Sequence, residues 1–237
     1  MRNRRQALVG LILGMTIFLT AAAEAGPGSR GQDPWGSTSF NVDKARFASR
    51  GSNPHFILEP GYTLVLADGN ERLVITVLDE TRIVDGVETR IVEERESKNG
   101  KLVEISRNFF AFNTADRSVY YFGEEVDIYK NGKIVDHEGA WESGKNGARF
   151  GLAMPGEAKL RARYYQEVAP GVAMDRAEIT GLHETLKTPA GTFKDCLKVA
   201  ETTPLEKGTK EYKLYAPGIG LIQDASLLLV EYGYLKK

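Results

Sequence analysis

A dense run of ionisable side chains beside Trp141 is where this sequence comes nearest to acid–base chemistry. The run consists of Asp136, His137, Glu138 and Glu142. The glycine-rich segment 144–156 that follows is typical of a mobile loop, and active sites often lie on such loops. One hypothesis is therefore an exported hydrolase with a carboxylate/His site near residues 136–142. Charged residues are also ordinary at the turns of β proteins, so this hypothesis is the alternative and not the first choice.

Metal and nucleophile motifs add no catalytic candidates. His137-Glu138 and His183-Glu184 each begin like a zinc-protease motif, but neither is followed by the second His that the motif needs. Phosphate-binding glycine loops and a Gly-x-Ser-x-Gly elbow do not occur. Cys196 stands in an alternating apolar and polar run, which predicts a buried structural thiol. We therefore assign no catalytic residue, no metal ligand and no cofactor.

Aromatic residues support the leading hypothesis, a non-catalytic binding module of the bacterial envelope. Trp141, Tyr164 and Tyr165 stand on predicted strands or beside the glycine-rich connection. Neighbouring residues of a strand face opposite sides, so one aromatic set fills the core and the other is free to hold a ligand. These three residues are the predicted ligand contacts, and packing in the core is the alternative for them. The partner would be a small apolar or envelope ligand of unknown identity, or a protein.

The charge balance argues against nucleic acid as a partner. The chain has 31 Lys and Arg against 32 Asp and Glu, a net charge of −1. Nucleic-acid binding needs clustered basic residues, which this composition does not favour. The carboxylate pairs Glu93-Glu94 and Glu124-Glu125 are typical of solvated strand faces and turns.

Tight-turn dipeptides organise the elements that must position these residues. Four pairs stand between runs of β-branched and aromatic residues, and such pairs are the strongest local signal of a β-hairpin. They are Asp68-Gly69, Asp85-Gly86, Asn99-Gly100 and Asn131-Gly132. About 12 short strands in one meander predict a mainly β chain, an antiparallel, strongly curved sheet or open barrel with little helix. Segment 41–49, with Asn41 as its cap, is the best short helix candidate.

The first 25 residues have the pattern of a secretory signal peptide. Three arginines precede an apolar run at 7–23, which ends in an Ala-Glu-Ala site before Gly26. A retained anchor is the alternative, because the run is near the lower limit of about 17 residues for a membrane span. Cleavage would leave a protein with no membrane span, in the periplasm or outside the cell. We expect residues 1–25 as signal peptide, 26–39 as a flexible leader, and 40–237 as a single β-rich domain.

Several short phrases resemble a group of uncharacterised secreted bacterial β-rich proteins. The phrases are those at residues 53–61, 77–81, 119–124, 170–173, 188–193 and 215–220. Together they cover about residues 53–222. The resemblance implies export and a β-rich fold, and it brings no catalytic residues with it.

The export pattern predicts a mature protein that begins at Gly26. Mass spectrometry of the exported fraction should show removal of residues 1–25. Because that segment carries three arginines and one glutamate, its removal changes the net charge from −1 to −3. An exported chain that still begins with Met1 would instead demonstrate the retained anchor.

Overall fold

The computed structural model describes residues 33–234, and about 64% of these residues lie in β-strands. Residues 1–25, the predicted signal peptide, lie outside the described residues. The one helical segment of the described part is a 3-10 turn at Lys44–Arg46, capped by Asp43 and not by Asn41. The strands are β1 (Phe47–Ala48), β2 (Gly51–Asn53), β3 (Phe56–Leu58), β4 (Tyr62–Asp68), β5 (Glu71–Val84), β6 (Val87–Lys98), β7 (Lys101–Asn113), β8 (Val119–Lys130), β9 (Lys133–Asp136), β10 (Trp141–Glu142), β11 (Arg149–Met154), β12 (Arg163–Tyr165), β13 (Glu167–Val168), β14 (Arg176–Thr188), β15 (Gly191–Thr202), β16 (Glu211–Ala216), β17 (Gly220–Asp224) and β18 (Leu227–Tyr234).

Sixteen of these strands form one antiparallel sheet that nearly closes into a barrel. The main path runs β12-β14-β15-β16-β17-β18-β4-β5-β6-β7-β8-β11-β13, and β1, β9 and β10 pair beside it. The two ends of this path, β12 and β13, are separated in the chain by Gln166 alone, so the unsealed seam of the barrel lies where the chain passes this residue. The prediction of a mainly β, antiparallel, strongly curved sheet or open barrel is confirmed.

The predicted turn dipeptides account for the sequence-adjacent pairing. In three of them both residues take the positive φ of a type I′ turn, with φ of 50–54° at the first residue and 70–76° at the second. These are Asp85-Gly86, Asn99-Gly100 and Asn131-Gly132. The fourth turn is shifted by one residue, since Asp68 ends β4 and Gly69, at φ 57°, begins the turn.

Alternation along the strands divides the apolar side chains between the barrel interior and an outer cluster. On β8, Tyr121 belongs to the interior core, while its neighbours Tyr120 and Phe122 belong to the outer cluster. The outer cluster consists of Val84, Val87, Ile91, Phe109, Ala111, Tyr120, Phe122 and Phe150, covered by Phe40, Val42 and Phe47 from the start of the domain. Full burial of one such Phe contributes about 1.5–3 kcal/mol. Both aromatic sets of β8 are therefore packing residues, and Cys196 is also buried.

The β2–β3 hairpin packs across one end of the barrel. The ring of Phe56 lies 4.9 Å from that of Phe110, centre to centre, in an edge-on arrangement. The side chain of Asn53 is fully buried, and its Nδ2 donates to the carbonyl oxygens of Arg117 at 2.8 Å and Pro155 at 2.9 Å. These bonds tie the hairpin to two other segments of the chain and so anchor it over this end of the barrel.

The described part of the predicted leader contacts the barrel beside its seam. The ring of Trp35 lies beneath two guanidinium groups, with its centre 5.2 Å from that of Arg163 and 4.4 Å from that of Arg176. The hydroxyl of Tyr165 donates to Asp33 Oδ2 at 2.8 Å. Residues 33–35 are thus held against β12 and β14.

A β-bulge at Gly123 decides which way the following side chains point. Asn108 of β7 lies opposite Glu124, whereas Phe110 lies opposite Tyr121, so β8 has one residue more than β7 between these pairs. Gly123 has φ 136°, and an added Cβ would lie 2.3 Å from the carbonyl oxygen of Trp141. Simple alternation from Tyr121 would place Glu125 inside; the bulge turns Glu124 inward instead.

We expect Gly123→Ala to destabilise the protein by about 3 kcal/mol or more, from the clash and the strained φ together. Gly69→Ala is the matched control, because Gly69 also has positive φ but an added Cβ meets nothing within 4 Å. It should cost about 1–2 kcal/mol. Urea unfolding of both variants measures the difference, and equal losses would contradict the proposed role of the bulge.

Candidate ligand-binding site

The barrel encloses a cavity of about 270 Å³ whose two ends differ in chemistry. Val92, Glu94 and Glu96 follow each other on the inner face of β6, and they lead from an apolar region toward the β6–β7 turn. On β7, Phe110, Asn108, Ser106 and Glu104 make the same transition in the opposite chain direction. The cavity is therefore apolar at one end and polar at the other.

The apolar end lies against the β2–β3 hairpin. Its lining includes Phe56, Ile57, Tyr62, Leu64, Phe110, Ile219 and Leu221. The Tyr62 hydroxyl donates to the carbonyl oxygen of Ile219 at 2.9 Å, so its one polar atom is satisfied within the protein. An apolar ligand at this end would therefore not leave the Tyr62 hydroxyl buried without a hydrogen bond.

The polar end carries a large excess of carboxyl groups. Ten acidic side chains line the whole cavity, against one lysine, Lys213, and one histidine, His55. The acidic members are Glu94, Glu96, Glu104, Glu124, Glu138, Glu167, Asp175, Glu201, Glu211 and Asp224. Glu138 is exposed and also lines the cavity, so the cavity reaches solvent at this end.

Two pairs of these carboxylates lie directly opposite one another in the sheet. Glu96 on β6 faces Glu104 on β7, and Glu201 on β15 faces Glu211 on β16. Like charges at directly paired positions destabilise a sheet. The interior therefore needs protons or positive charge to relieve the repulsion.

Lys213 supplies positive charge on one wall of the cavity. Its Nζ lies 3.0 Å from Glu201 Oε2 and 3.8 Å from Asp224 Oδ2. Burial alone would lower the pKa of Lys213, but the carboxylates of Asp224 and Glu201 outweigh burial and raise that pKa well above its usual value. Lys213 is thus a permanently charged counter-ion for the β15–β17 wall.

The opposite wall, on β6–β8, holds glutamates with strongly shifted pKa values. Loss of solvation on burial is the largest cause, and it raises the pKa of Glu94 to about 7, of Glu96 to about 9 and of Glu124 to about 8. For Glu96, the negative charges of Glu104 and Glu94 raise the pKa further. Near neutral pH this wall is partly protonated, and it takes on negative charge as the pH rises.

Several buried polar atoms that line or adjoin the cavity have no partner in the described protein. Asp224 is 4% exposed and lines the cavity, yet its Oδ1 makes no hydrogen bond. Asp175 Oδ1 and Gln166 Oε1 are also buried without a hydrogen-bond partner, and both residues line the cavity. The other polar atom of the Gln166 side chain, Nε2, donates to Glu201 Oε1 at 2.9 Å. An orphaned buried acceptor costs about 1–3 kcal/mol, so these oxygens are suited to a donor from a ligand.

The predicted ligand contacts Trp141, Tyr164 and Tyr165 are all buried. Among the described residues that line the cavity, none of the three occurs. Trp141 packs edge-on against Tyr121, which does line the cavity, with ring centres 5.4 Å apart. Tyr164 is buried in the interior core with an unpartnered hydroxyl, and Tyr165 faces the other way and bonds Asp33. Direct contact of these residues with a ligand stays a prediction.

The four ionisable residues near Trp141 are distributed over different surroundings. Glu138 lines the cavity where it reaches solvent. His137 Nδ1 lies 3.0 Å from Asp127 Oδ1, and the carboxylate of Asp136 accepts from the backbone N–H of His137 at 2.7 Å. Glu142 binds Arg82 at 3.0 Å and Lys145 at 2.8 Å. The described geometry therefore does not gather these four side chains in one cleft, and the hydrolase hypothesis stays a prediction.

The inward-facing glutamates are the cavity-lining residues that sequence reasoning missed. Of the pairs taken as solvated, Glu93 and Glu125 do bind surface arginines, but Glu94 and Glu124 line the cavity. On β6 the sequence does carry a signal of an acidic inner face, because Val92, Glu94 and Glu96 alternate along the strand and so share one face. On β8 the signal is hidden, because the bulge at Gly123 shifts the alternation by one residue.

No cluster of His, Cys, Asp and Glu suited to a metal ion occurs within residues 33–234. In that same part of the chain, no helix is long and apolar enough to cross a membrane.

Comparisons with family models, with curated proteins and with solved structures found no match. The resemblance to secreted bacterial β-rich proteins therefore stays an expectation.

The raised pKa values predict that the protein loses stability as the pH rises. A carboxyl whose folded pKa exceeds its unfolded value stabilises the fold at low pH, and this contribution is lost as the pH passes the folded pKa. With folded values of about 7, 8 and 9 for Glu94, Glu124 and Glu96, the melting temperature should fall between about pH 5 and pH 9.

Glu96→Gln should flatten this decline and raise the melting temperature at pH 8 by at least about 3 °C. Glu231→Gln, at an exposed position of β18, is the control and should leave the decline unchanged. Thermal unfolding at a series of pH values measures both. A melting temperature that rises from pH 5 to pH 8 in the wild-type protein would contradict the assignment.

Proposed function

We propose that this chain is a non-catalytic binding protein, exported from the cytoplasm, that holds a small ligand inside its barrel. The observation that carries the proposal is the cavity of about 270 Å³, apolar at the hairpin-covered end and polar at the other. Ligand pockets are typically concave, largely apolar and furnished with a few polar groups that fix orientation. The signal-peptide pattern of residues 1–25 supports export.

The size of the cavity sets the size of the ligand. Pockets for drug-sized molecules are usually about 300–1,000 Å³, so a cavity of this size suits a small molecule rather than a lipid with full-length acyl chains. The apolar part of the ligand would lie against Phe56, Leu64 and Phe110, and its polar part would point toward the acidic side chains.

A preformed cavity favours binding without a large conformational cost. The apolar end is covered by the hairpin that the Asn53 bonds anchor, and the lining residues of β5 to β8 and of β15 to β17 stand on strands paired on both sides. A preformed site loses little entropy when it binds, so shape and polarity of the cavity determine which ligands are accepted.

The proposed function is tested by a substitution that places a larger side chain on the cavity wall. Ala153 of β11 lines the cavity and is nearly buried, so Ala153→Phe should occupy space that a ligand needs. Ala115→Phe, at an exposed turn, adds the same bulk outside the barrel. The neutral fluorescent probe N-phenyl-1-naphthylamine should bind the wild type and Ala115→Phe, with binding to Ala153→Phe weakened at least tenfold.

Near-UV circular dichroism separates a filled cavity from a damaged fold. Ala153→Phe should keep the wild-type aromatic signal, which reports the packing of Tyr121 on Trp141. Equal binding of the probe by the wild type and by a folded Ala153→Phe would overturn the proposed function.

A further inference from the structure

We propose that the ligand is an organic cation of the diamine class, whose ammonium groups are bound by the carboxylates at the polar end of the cavity. This inference rests on the proposed function and specifies the chemistry of the same site. Its observations are the arrangement of the carboxylates on two facing walls, the unpartnered oxygen of Asp224, and the lysine already bound there.

The charges of the cavity are unequally compensated. On the β15–β17 wall, Lys213 Nζ lies within 4 Å of both Glu201 and Asp224. On the β6–β8 wall, Glu94 and Glu124 make no ion pair with any residue of the described chain. Lys213 is the one lysine that lines the cavity, and it lowers the pKa of Glu94 too little to offset the effect of burial. The β6–β8 wall therefore holds carboxyl groups that have no ion-pair partner in the described chain.

Lys213 shows what kind of group the interior accepts. It is a primary ammonium at the end of a four-carbon chain, and it lies among carboxylates with its pKa raised. A free alkylammonium group has the same charge, the same three donors and an equally apolar stem. The second wall has carboxylates of the same type, so a second ammonium group would find equivalent partners there.

An unpartnered acceptor gives independent support. Asp224 is 4% exposed and lines the cavity, and its Oδ1 has no hydrogen-bond partner although Oδ2 lies 3.8 Å from Lys213. A ligand with donors at both ends would place one of them on the carboxyl group of Asp224 and the other on a glutamate of the opposite wall. A ligand with a single ammonium group satisfies one wall only, which is why the proposal is for a diamine.

The directly opposed pair Glu96 and Glu104 adds a reason for a cation rather than a neutral donor. Both carboxylates in their charged form would repel each other, and this repulsion helps to raise the pKa of Glu96 to about 9. An ammonium group between them would stabilise both charged forms and donate charge-assisted hydrogen bonds to them. The alkyl segment between two ammonium groups would lie on Val92, Tyr121 and Tyr215, which line the same cavity.

Isothermal titration calorimetry at pH 8 and low salt tests the proposal, with 1,4-diaminobutane and 1,5-diaminopentane as probes. The comparison compounds are 1-aminobutane, which has one ammonium group, and 1,4-butanediol, which has none. We expect at least one diamine to bind tenfold or more tightly than the monoamine, and the diol not to bind. Because the contacts are ionic, the affinity should fall at 0.5 M salt.

The double variant Glu94→Gln/Glu96→Gln should weaken diamine binding at least tenfold, and it should retain its fold because it removes repulsion. Glu231→Gln is the control on the exposed surface. A second test replaces the internal ammonium: Lys213→Ala should lose thermal stability, and millimolar 1-aminobutane should restore part of it by occupying the vacated position.

The outcomes distinguish this inference from the function on which it rests. If the naphthylamine probe binds the cavity but neither diamine does, the diamine assignment is wrong and the binding function stands. If Ca²⁺ or Mg²⁺ stabilises the protein while the diamines have no effect, the site is one for metal ions and the assignment is also wrong. If no probe binds and Ala153→Phe changes nothing, both proposals fail.

Discussion

Lys213 is the one lysine among the residues that line the cavity, and ten acidic side chains line it as well. The electrostatics of the interior depend on this lysine. Its contacts with Glu201 and Asp224 allow acidic residues to stand on β15 and β17 at positions that most barrels fill with apolar side chains. Such a charge arrangement contributes little to net stability, because desolvation of the charged groups offsets their attraction. Its consequence is an interior in which acidic side chains far outnumber the lysine that compensates them.

The remaining structure isolates this charged region. The β2–β3 hairpin covers the far end with an apolar layer, so the carboxyl groups lie toward the solvent-accessible end. Outside the barrel, Phe40 and Phe47 cover the aromatic face of β8, which leaves residues 119–123 of that strand buried on both sides. The bulge at Gly123 then sets the single register in which Tyr120 and Phe122 pack outside while Tyr121 and Glu124 face the cavity.

The fold class was predictable because its signals are local. Asn99-Gly100 and Asn131-Gly132 determine their turns through backbone conformation alone, and the alternation of Tyr120, Tyr121 and Phe122 follows from strand geometry. The acidic interior was not predictable, since both faces of a strand such as Val92 to Glu96 carry charged residues and sequence does not tell which face is enclosed. For Glu124 the local rule even gives the wrong face, because the register depends on a contact with Trp141 that is distant in sequence.

The seam at Gln166 is the line of the described barrel wall that no ladder of backbone hydrogen bonds closes. Elsewhere neighbouring strands are joined by such ladders, but β12 and β13 are linked along the chain by Gln166 alone. The backbone N–H groups of Gln166 and Glu167 donate to the carbonyl oxygen of Asp175, and the Gln166 side chain donates to Glu201 of β15. Separation of the wall along this line would therefore break fewer backbone hydrogen bonds than separation of any two paired strands of the described sheet.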